Sequence, residues 1–204
     1  AYTYPGSELD LFAFASRWKA YWASVLGPYI GACVLEVGAG IGGSVKPLLI
    51  VRPDIDRLTL LEPDTRLIRS LRHEVSLLSN PRVQVCSGTL SDLLKNGDQS
   101  NDLCHTNNNN NFDTILYIDV LEHIPDDAAE LCKASQLLAA NGRIIVLAPA
   151  HQALFSPFDQ AVGHYRRYSR QTLAKIVPEG MKAEASRYLD SLGLLLSLMN
   201  KLVL

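Results

Sequence analysis

A buried strand that runs straight into a glycine-rich turn constrains this chain more than any other feature. Val34-Leu35-Glu36-Val37 is a short apolar run, and Gly38-Ala39-Gly40-Ile41-Gly42-Gly43 follows at once. Glycine lacks a Cβ and tolerates positive φ, so this turn is expected to bring backbone N–H groups against a ligand. A strand that ends this way at the head of a helix belongs in an α/β architecture.

The rest of the chain keeps the alternation. Strands are expected at Cys33–Val37, 57–61, 83–86, Phe112–Ile118 and 143–148, with helices at 43–50, Thr65–Leu78 and 126–140 between them. Arg52-Pro53-Asp54, Asn80-Pro81 and Asn141-Gly142 supply the breaks. Apolar strands in β-α order predict a mostly parallel central sheet flanked by helices. Residues 7–26 precede it as a helix with Ser7 as N-cap. Its stripe of Leu11, Phe14, Ala15, Trp18, Trp22 and Val25 packs on the core, while Tyr4, Trp18 or Trp22 is placed to touch a ligand as a lid. Residues 96–111, with their asparagine run, read as a mobile surface insertion. A helix capped by Ser169 is expected at 169–176, and a sixth strand at 182–188.

The chain has 204 residues, enough for one domain with a real core. We divide it into a helical cap (1–30), a cofactor-binding core (31–150) and a substrate-side region (151–204). A net charge of −2 carries no basic excess, so no nucleic-acid partner is expected. Cys33, Cys86, Cys104 and Cys132 form no C-x-x-C pair and no zinc-like spacing, so no metal site is assigned. Free thiols in strands and helices fit a reducing, cytoplasmic compartment, and the first residues lack the basic start and apolar core of a leader. The oligomeric state is not legible.

Gly38-x-Gly40-x-x-Gly43, with Glu62 about 20 residues on, satisfies the dinucleotide fingerprint, so a nucleotide-dependent oxidoreductase is one reading. Against it stand Glu36 just before the turn, the helix that precedes strand one, and the lack of a second nucleotide-binding half.

Four motifs in order resemble the class I S-adenosylmethionine-dependent methyltransferases. They are residues 34–42, Leu60-Leu61-Glu62-Pro63, residues 112–127 (which contain Asp119-Val120-Leu121-Glu122-His123), and Asn141-Gly142-Arg143-Ile144-Ile145-Val146. The resemblance implies a Rossmann-like methyltransferase fold, S-adenosylmethionine as donor and S-adenosylhomocysteine as product. It implies cofactor contacts from Glu36, Gly38, Ala39, Gly40, Gly42, Glu62, Pro63, Asp119 and Val120, with Glu62 taking the ribose hydroxyls. The acid that many members carry after strand three is missing from Ser87-Gly88-Thr89-Leu90-Ser91-Asp92; Thr89, the Leu90 backbone or Asp92 is left to meet adenine. Glu122 and His123 read as shaping the turn into the next helix.

Residues 151–168 follow the fifth strand, where the active site should open. His151 or His164 is the expected base for a hydroxyl acceptor, with Tyr165 beside them. Arg166, Arg167 and Tyr168, with Trp18, are the candidate substrate contacts, for an acidic or a glycan- or lipid-related acceptor. The competing reading is a structural loop in which the arginines pair with Asp126, Asp127 or Asp159. Gly163-His164-Tyr165-Arg166-Arg167-Tyr168 is similar to a segment of bacterial methyltransferases encoded with, or fused to, glycosyltransferase-like partners. The apolar stretch 189–204 is shorter than the about 20 residues that span a bilayer, so at most a peripheral membrane contact is expected. The family's final antiparallel strand is expected to be absent from this chain. A catalytically inactive binding module on the same fold is the non-enzyme alternative.

Overall fold

The computed structural model describes residue 4 and residues 15–95 and 112–189. Five strands form one sheet in the order β3-β2-β1-β4-β5, and all pair in parallel. They are β1 (Cys33–Val37), β2 (Arg57–Glu62), β3 (Val83–Ser87), β4 (Phe112–Ile118) and β5 (Leu138–Leu147). The helices are α1 (Ser16–Leu26), α2 (Val45–Val51), α3 (Thr65–Leu78), α4 (Leu90–Lys95), α5 (Asp127–Ser135), α6 (Pro157–Ala161) and α7 (Arg170–Lys175).

Alternation along the strands produces two cores, one on each face. Val34, Leu58, Leu60 and Leu116 pack with Trp22 and Ala23 of α1, Leu48 of α2 and Leu71 of α3. Leu35, Val37, Ile115 and Tyr117 pack on the opposite side with Leu90 and Leu93 of α4 and Leu131 of α5. Burial on both faces is why these strands read as nearly continuous apolar runs. Each fully buried leucine here contributes roughly 1.5–3 kcal/mol.

The two central strands, β1 and β4, are also tied at the end away from the glycine turn. The Asp113 carboxylate accepts the N–H groups of Ala32 and Cys33, both at 2.8 Å, and Thr114 Oγ1 accepts that of Gly31 at 2.8 Å. At the opposite end strand order reverses between β1 and β4. There Gly38 N–H donates to Leu61 O at 2.8 Å and Asp119 N–H to Leu147 O at 2.8 Å. Ligands of open α/β sheets bind in that crevice.

Several expectations are corrected. The helix expected at 126–140 stops at Ser135. Leu138 instead pairs with Phe112 at the start of β5, and a register shift through Asn141 (φ 64°) and Gly142 leads into the regular pairing from Arg143 onward. Residues 182–188 form no strand, and α1 begins at Ser16; Ser7 lies outside the described residues, as do 96–111 and the stretch from 190 onward. Cys33 and Cys132 are free thiols, but Cys86 is disulfide-bonded, its partner lying outside the described residues. The inference from unpaired cysteines to a reducing compartment therefore does not hold for Cys86. Among the described residues no helix is long and apolar enough to cross a membrane.

Candidate active site

A cleft runs from the glycine turn, past the ends of β4 and β5, to the segment after β5. At about 2480 Å³ it exceeds the ~300–1,000 Å³ of a single ligand pocket, so it is a set of connected clefts with room for more than one ligand.

Its first half is built by the β1 and β2 ends. Gly38 sits at φ 70°, and a Cβ there would stand 2.8 Å from a Val120 methyl, so both conformation and packing demand glycine. Glu36 lies beneath the turn, 2% exposed, and its Oε2 has no hydrogen-bond partner. Burial pushes its carboxyl up to about 7; the Ser44 hydroxyl opposes the shift and the Glu62 charge adds to it. Glu62, equally buried, accepts the Gly40 N–H on one oxygen and the Asp64 N–H on the other, each at 2.8 Å. It thus pins the turn to the end of β2 and still has lone pairs for two hydroxyls. Burial raises its pKa, the two N–H groups work against that, and the Asp64 charge adds to it.

After β3, Thr89 donates to Asp92 through both its N–H (2.9 Å) and its hydroxyl (2.7 Å). Those bonds hold the Asp92 carboxyl below its usual range and keep it on its own helix; Gly88, Thr89 and Leu90 line the cleft and Asp92 does not. The Leu90 side chain is fully buried in the core, so it is the Leu90 backbone that serves this wall. Trp18 packs partly on the core and also lines the cleft. Tyr4 bridges the two halves. Its N–H donates to Asp64 at 2.7 Å, and its ring meets the His123 ring edge-on at 5.3 Å.

The second half begins with Asp119, at φ 53° just past β4. It is open to the cleft but walled by protein, and that burial pushes its carboxyl up to about 6. A 3-10 turn at Leu121–His123 follows. Glu122 within it is 0% exposed, and neither of its carboxylate oxygens has a hydrogen-bond partner. Burial drives its pKa well above the usual carboxylate range, and the neighbouring Asp119 charge adds to that.

His164 faces this carboxylate, its Nε2 3.9 Å from Glu122 Oε1. Its Nδ1 lies 2.9 Å from Asp159 Oδ1. Asp159 is fully buried; burial alone would raise its pKa, but Arg167, His164 and the Ser156 N–H together hold it below the usual range. An ionised carboxylate only accepts, so His164 donates to it through Nδ1, and Nε2 is turned toward Glu122. Arg167 closes the cluster with bonds to both Asp159 oxygens at 2.8 and 2.9 Å. The Tyr165 N–H donates to Glu122 O at 2.8 Å and seats this loop on the Glu122 turn.

The structure divides the sequence candidates. His164 and His151 both line the cleft. His151 is stacked on Tyr188, with ring centroids 4.7 Å apart, and its N–H donates to Tyr168 O at 2.8 Å. Tyr165 is 57% exposed and, like Arg166, lies outside the cleft. Arg166 is occupied by Asp127 and by the Pro125 carbonyl at 2.6 Å; Tyr168 is buried, its hydroxyl donating to Asp127 at 2.8 Å. Arg166, Arg167 and Tyr168 are thus paired with Asp127 or Asp159, the pairing the competing reading named for the arginines, and Arg167 and Tyr168 also line the cleft. Sequence reasoning missed the buried state of Glu122 and the hub at Asp159. The one available signal was Ser156-Pro157-Phe158-Asp159, which folds as a capping box at the head of α6.

The first half fits S-adenosylmethionine. It offers a glycine turn that a Cβ would obstruct, an unpartnered buried oxygen on Glu36 and a doubly anchored acceptor in Glu62, and it adjoins the acid that opens the second half, Asp119. A family-wide sequence profile described as "Methyltransferase domain" matches residues 14–179. Demethylmenaquinone methyltransferases of two Tropheryma whipplei strains, Twist and TW08/27, are each 26% identical over 179 residues, covering 87% of this chain and 66% of theirs. The chain thus spans a little under two thirds of the length of these curated relatives. In solved structures, a chain of the complex between the Haloferax volcanii Trm112 methyltransferase activator and its methyltransferase superposes with a TM-score of 0.65 at 14% identity, covering 94% of this chain and 83% of that one. The mitomycin 7-O-methyltransferase MmcR gives 0.62 at 19% identity, covering 89% and 54%. At such identities these two likenesses are of fold.

Proposed function

The chain belongs to the methyltransferase-domain family, and from that premise we propose that it transfers a methyl group from S-adenosylmethionine to a small organic acceptor that loses a proton in the reaction. Such an acceptor is a hydroxyl, or a ring carbon made acidic by a neighbouring hydroxyl. The donor supplies an electrophilic methyl on a sulfonium. Glu36, the glycine turn, Glu62 and Asp119 hold it, with Thr89 and the Leu90 backbone on the adenine side. Residues 31–150 are the donor-holding core and 151–189 form the acceptor side.

One observation carries the choice of acceptor. Beyond the donor half the cleft ends in a buried Glu122 facing Nε2 of His164, which Asp159 orients. A hydroxyl or an acidic carbon becomes a nucleophile only by losing its proton, and a carboxylate with an imidazole at the end of the cleft suits an acceptor of that kind. The relatives named demethylmenaquinone methyltransferase point to the same acidic, aromatic class. The acceptor oxygen or carbon forms the new bond to the methyl carbon, the carbon–sulfur bond breaks with its electron pair going to sulfur, and the proton leaves at the Glu122–His164 end. What the chain contributes beyond this is positioning in line.

Calorimetry with S-adenosylhomocysteine tests the donor half, and absence of binding at millimolar concentration would sink the proposal. A panel of phenols, quinols and amines with radiolabelled donor tests the other half. Turnover is expected on the first two classes; label on amines alone would overturn the acceptor class. Binding of S-adenosylhomocysteine without turnover on any of them would favour an inactive binding module.

A further inference from the structure

We propose that Glu122, His123 and His164 form a binding site for one divalent first-row transition-metal ion at the acceptor end of the cleft. One ligand-type atom from each lies within 4.8 Å of the other two, and all three residues line the cleft. No spacing motif in the sequence announces the site, because His164 joins the other two only through the fold.

Glu122 is the strongest indication. It is 0% exposed, and both its carboxylate oxygens are without a hydrogen-bond partner. A carboxylate withdrawn from water with nothing donating to it is costly, and a cation is one of the few groups that offsets the cost. Its Oε1 is 3.9 Å from His164 Nε2. That is too long for a hydrogen bond, and it is close to the separation of two ligand atoms that each stand about 2.0–2.2 Å from a shared ion. A small side-chain adjustment closes the widest separation in the trio.

The surroundings are those of an oriented ligand. A metal-bound imidazole is characteristically held through its other nitrogen by a carboxylate. Asp159 holds His164 Nδ1 at 2.9 Å and is itself fixed by Arg167 and by the Ser156 N–H at 2.9 Å. The Glu122 carbonyl accepts the Tyr165 N–H, which locks the two ligand-bearing segments together. Two imidazoles and one carboxylate suit zinc and its first-row neighbours rather than magnesium or calcium, and three protein ligands leave a position open toward the cleft.

This deepens the reading above, and its catalytic meaning rests on it. With an acceptor oxygen in the open position, a bound ion would lower that oxygen's pKa, and Glu122 and His164 would promote its proton loss by holding the ion.

The test uses the full chain, stripped with a chelator and titrated with Zn²⁺ by calorimetry and with Co²⁺ by visible absorption. One ion per chain is expected. Glu122→Gln should abolish uptake while S-adenosylhomocysteine still binds as in the parent, and Asp159→Asn should weaken uptake about 10–100-fold. If Glu122→Gln no longer melts cooperatively, His164→Ala carries the same comparison. No uptake by the parent chain, or equal uptake by Glu122→Gln with the ion on surface groups such as the exposed Cys132, overturns the inference. S-adenosylhomocysteine binding without metal uptake defeats this inference and leaves the methyltransferase reading intact; metal uptake without S-adenosylhomocysteine binding does the reverse.

Discussion

The two halves of the cleft are built by different means. The donor half is made of backbone: a left-handed glycine turn whose N–H groups are anchored by Glu62 and the Leu61 carbonyl. The residues proposed to hold the donor sit at strand ends held in register by the sheet. The acceptor half leans on side chains, with the Asp159 carboxylate tying His164, Arg167 and Ser156 together in the segment that follows the last strand. A backbone-built site is rigid and local. A side-chain-built site depends on a few buried charges, so one substitution can dissolve it.

The largest expected effect tests that contrast. Asp159→Ala leaves the Arg167 and His164 side chains, 15% and 11% exposed, without their partner. Breaking such a buried pair costs about 3–5 kcal/mol. Urea unfolding should register the loss, while the folded fraction still binds S-adenosylhomocysteine; equal loss of donor binding would mean the halves are not separate.

Gly38→Ala attacks the other side. The left-handed conformation costs about 1–2 kcal/mol for a residue with a Cβ, and the contact with Val120 adds about 1–3 kcal/mol of overpacking. Calorimetry should find donor binding gone, and the His164–Asp159 pair, followed by imidazole NMR, undisturbed.

Third comes a pH effect that belongs to the donor half. Glu36 has a folded pKa of about 7 against 4.5 for a free glutamate. Below 4.5 it is protonated in both states and contributes nothing. As pH rises toward 7 the unfolded chain releases the proton first, so stability falls across that window by on the order of 3 kcal/mol and is level above it. Glu36→Gln should remove this share of the slope in melts taken across the window, leaving the shares of Asp119, Glu62 and Glu122, whose carboxyls burial also raises. An unchanged slope would show that Glu36 is not the group responsible.

The smallest effect is the control. Arg143 and Glu184 pair at 3.0 Å, each about half exposed and neither bonded to a residue given a ligand role above, so Glu184→Ala should cost no more than about 1 kcal/mol and leave both ligand sites untouched.

The same contrast explains what could be read from the chain. β1 and β4 fall where the apolar runs put them because both faces of those strands are buried and their flanks carry turn residues. The glycine turn, Glu62 and Asp119 were legible for the same local reason. The α5–β5 boundary was not. Leu137-Leu138-Ala139-Ala140 favours helix by propensity, and pairing of Leu138 with Phe112 overrides it. Residues 182–188 are rich in Lys, Ala and Glu, which strands disfavour, and they form no strand. The arginines after β5 looked free for a substrate because their partners, Asp127 and Asp159, acquire that role only through tertiary packing. Glu122 hid for the complementary reason, since nothing adjacent in sequence marks a carboxylate as buried and unpartnered.

Gly38 and Val120 carry one consequence that belongs to heredity more than to geometry. Val120→Ala removes the two methyls that a Cβ at position 38 would strike and leaves its own Cβ at 3.4 Å. It should therefore rescue the steric share of a Gly38→Ala defect and none of the conformational share, since φ 70° stays where it is. The two positions form an ordered pair. A lineage can trim residue 120 first and then enlarge residue 38 at reduced cost, but the reverse order passes through the full defect.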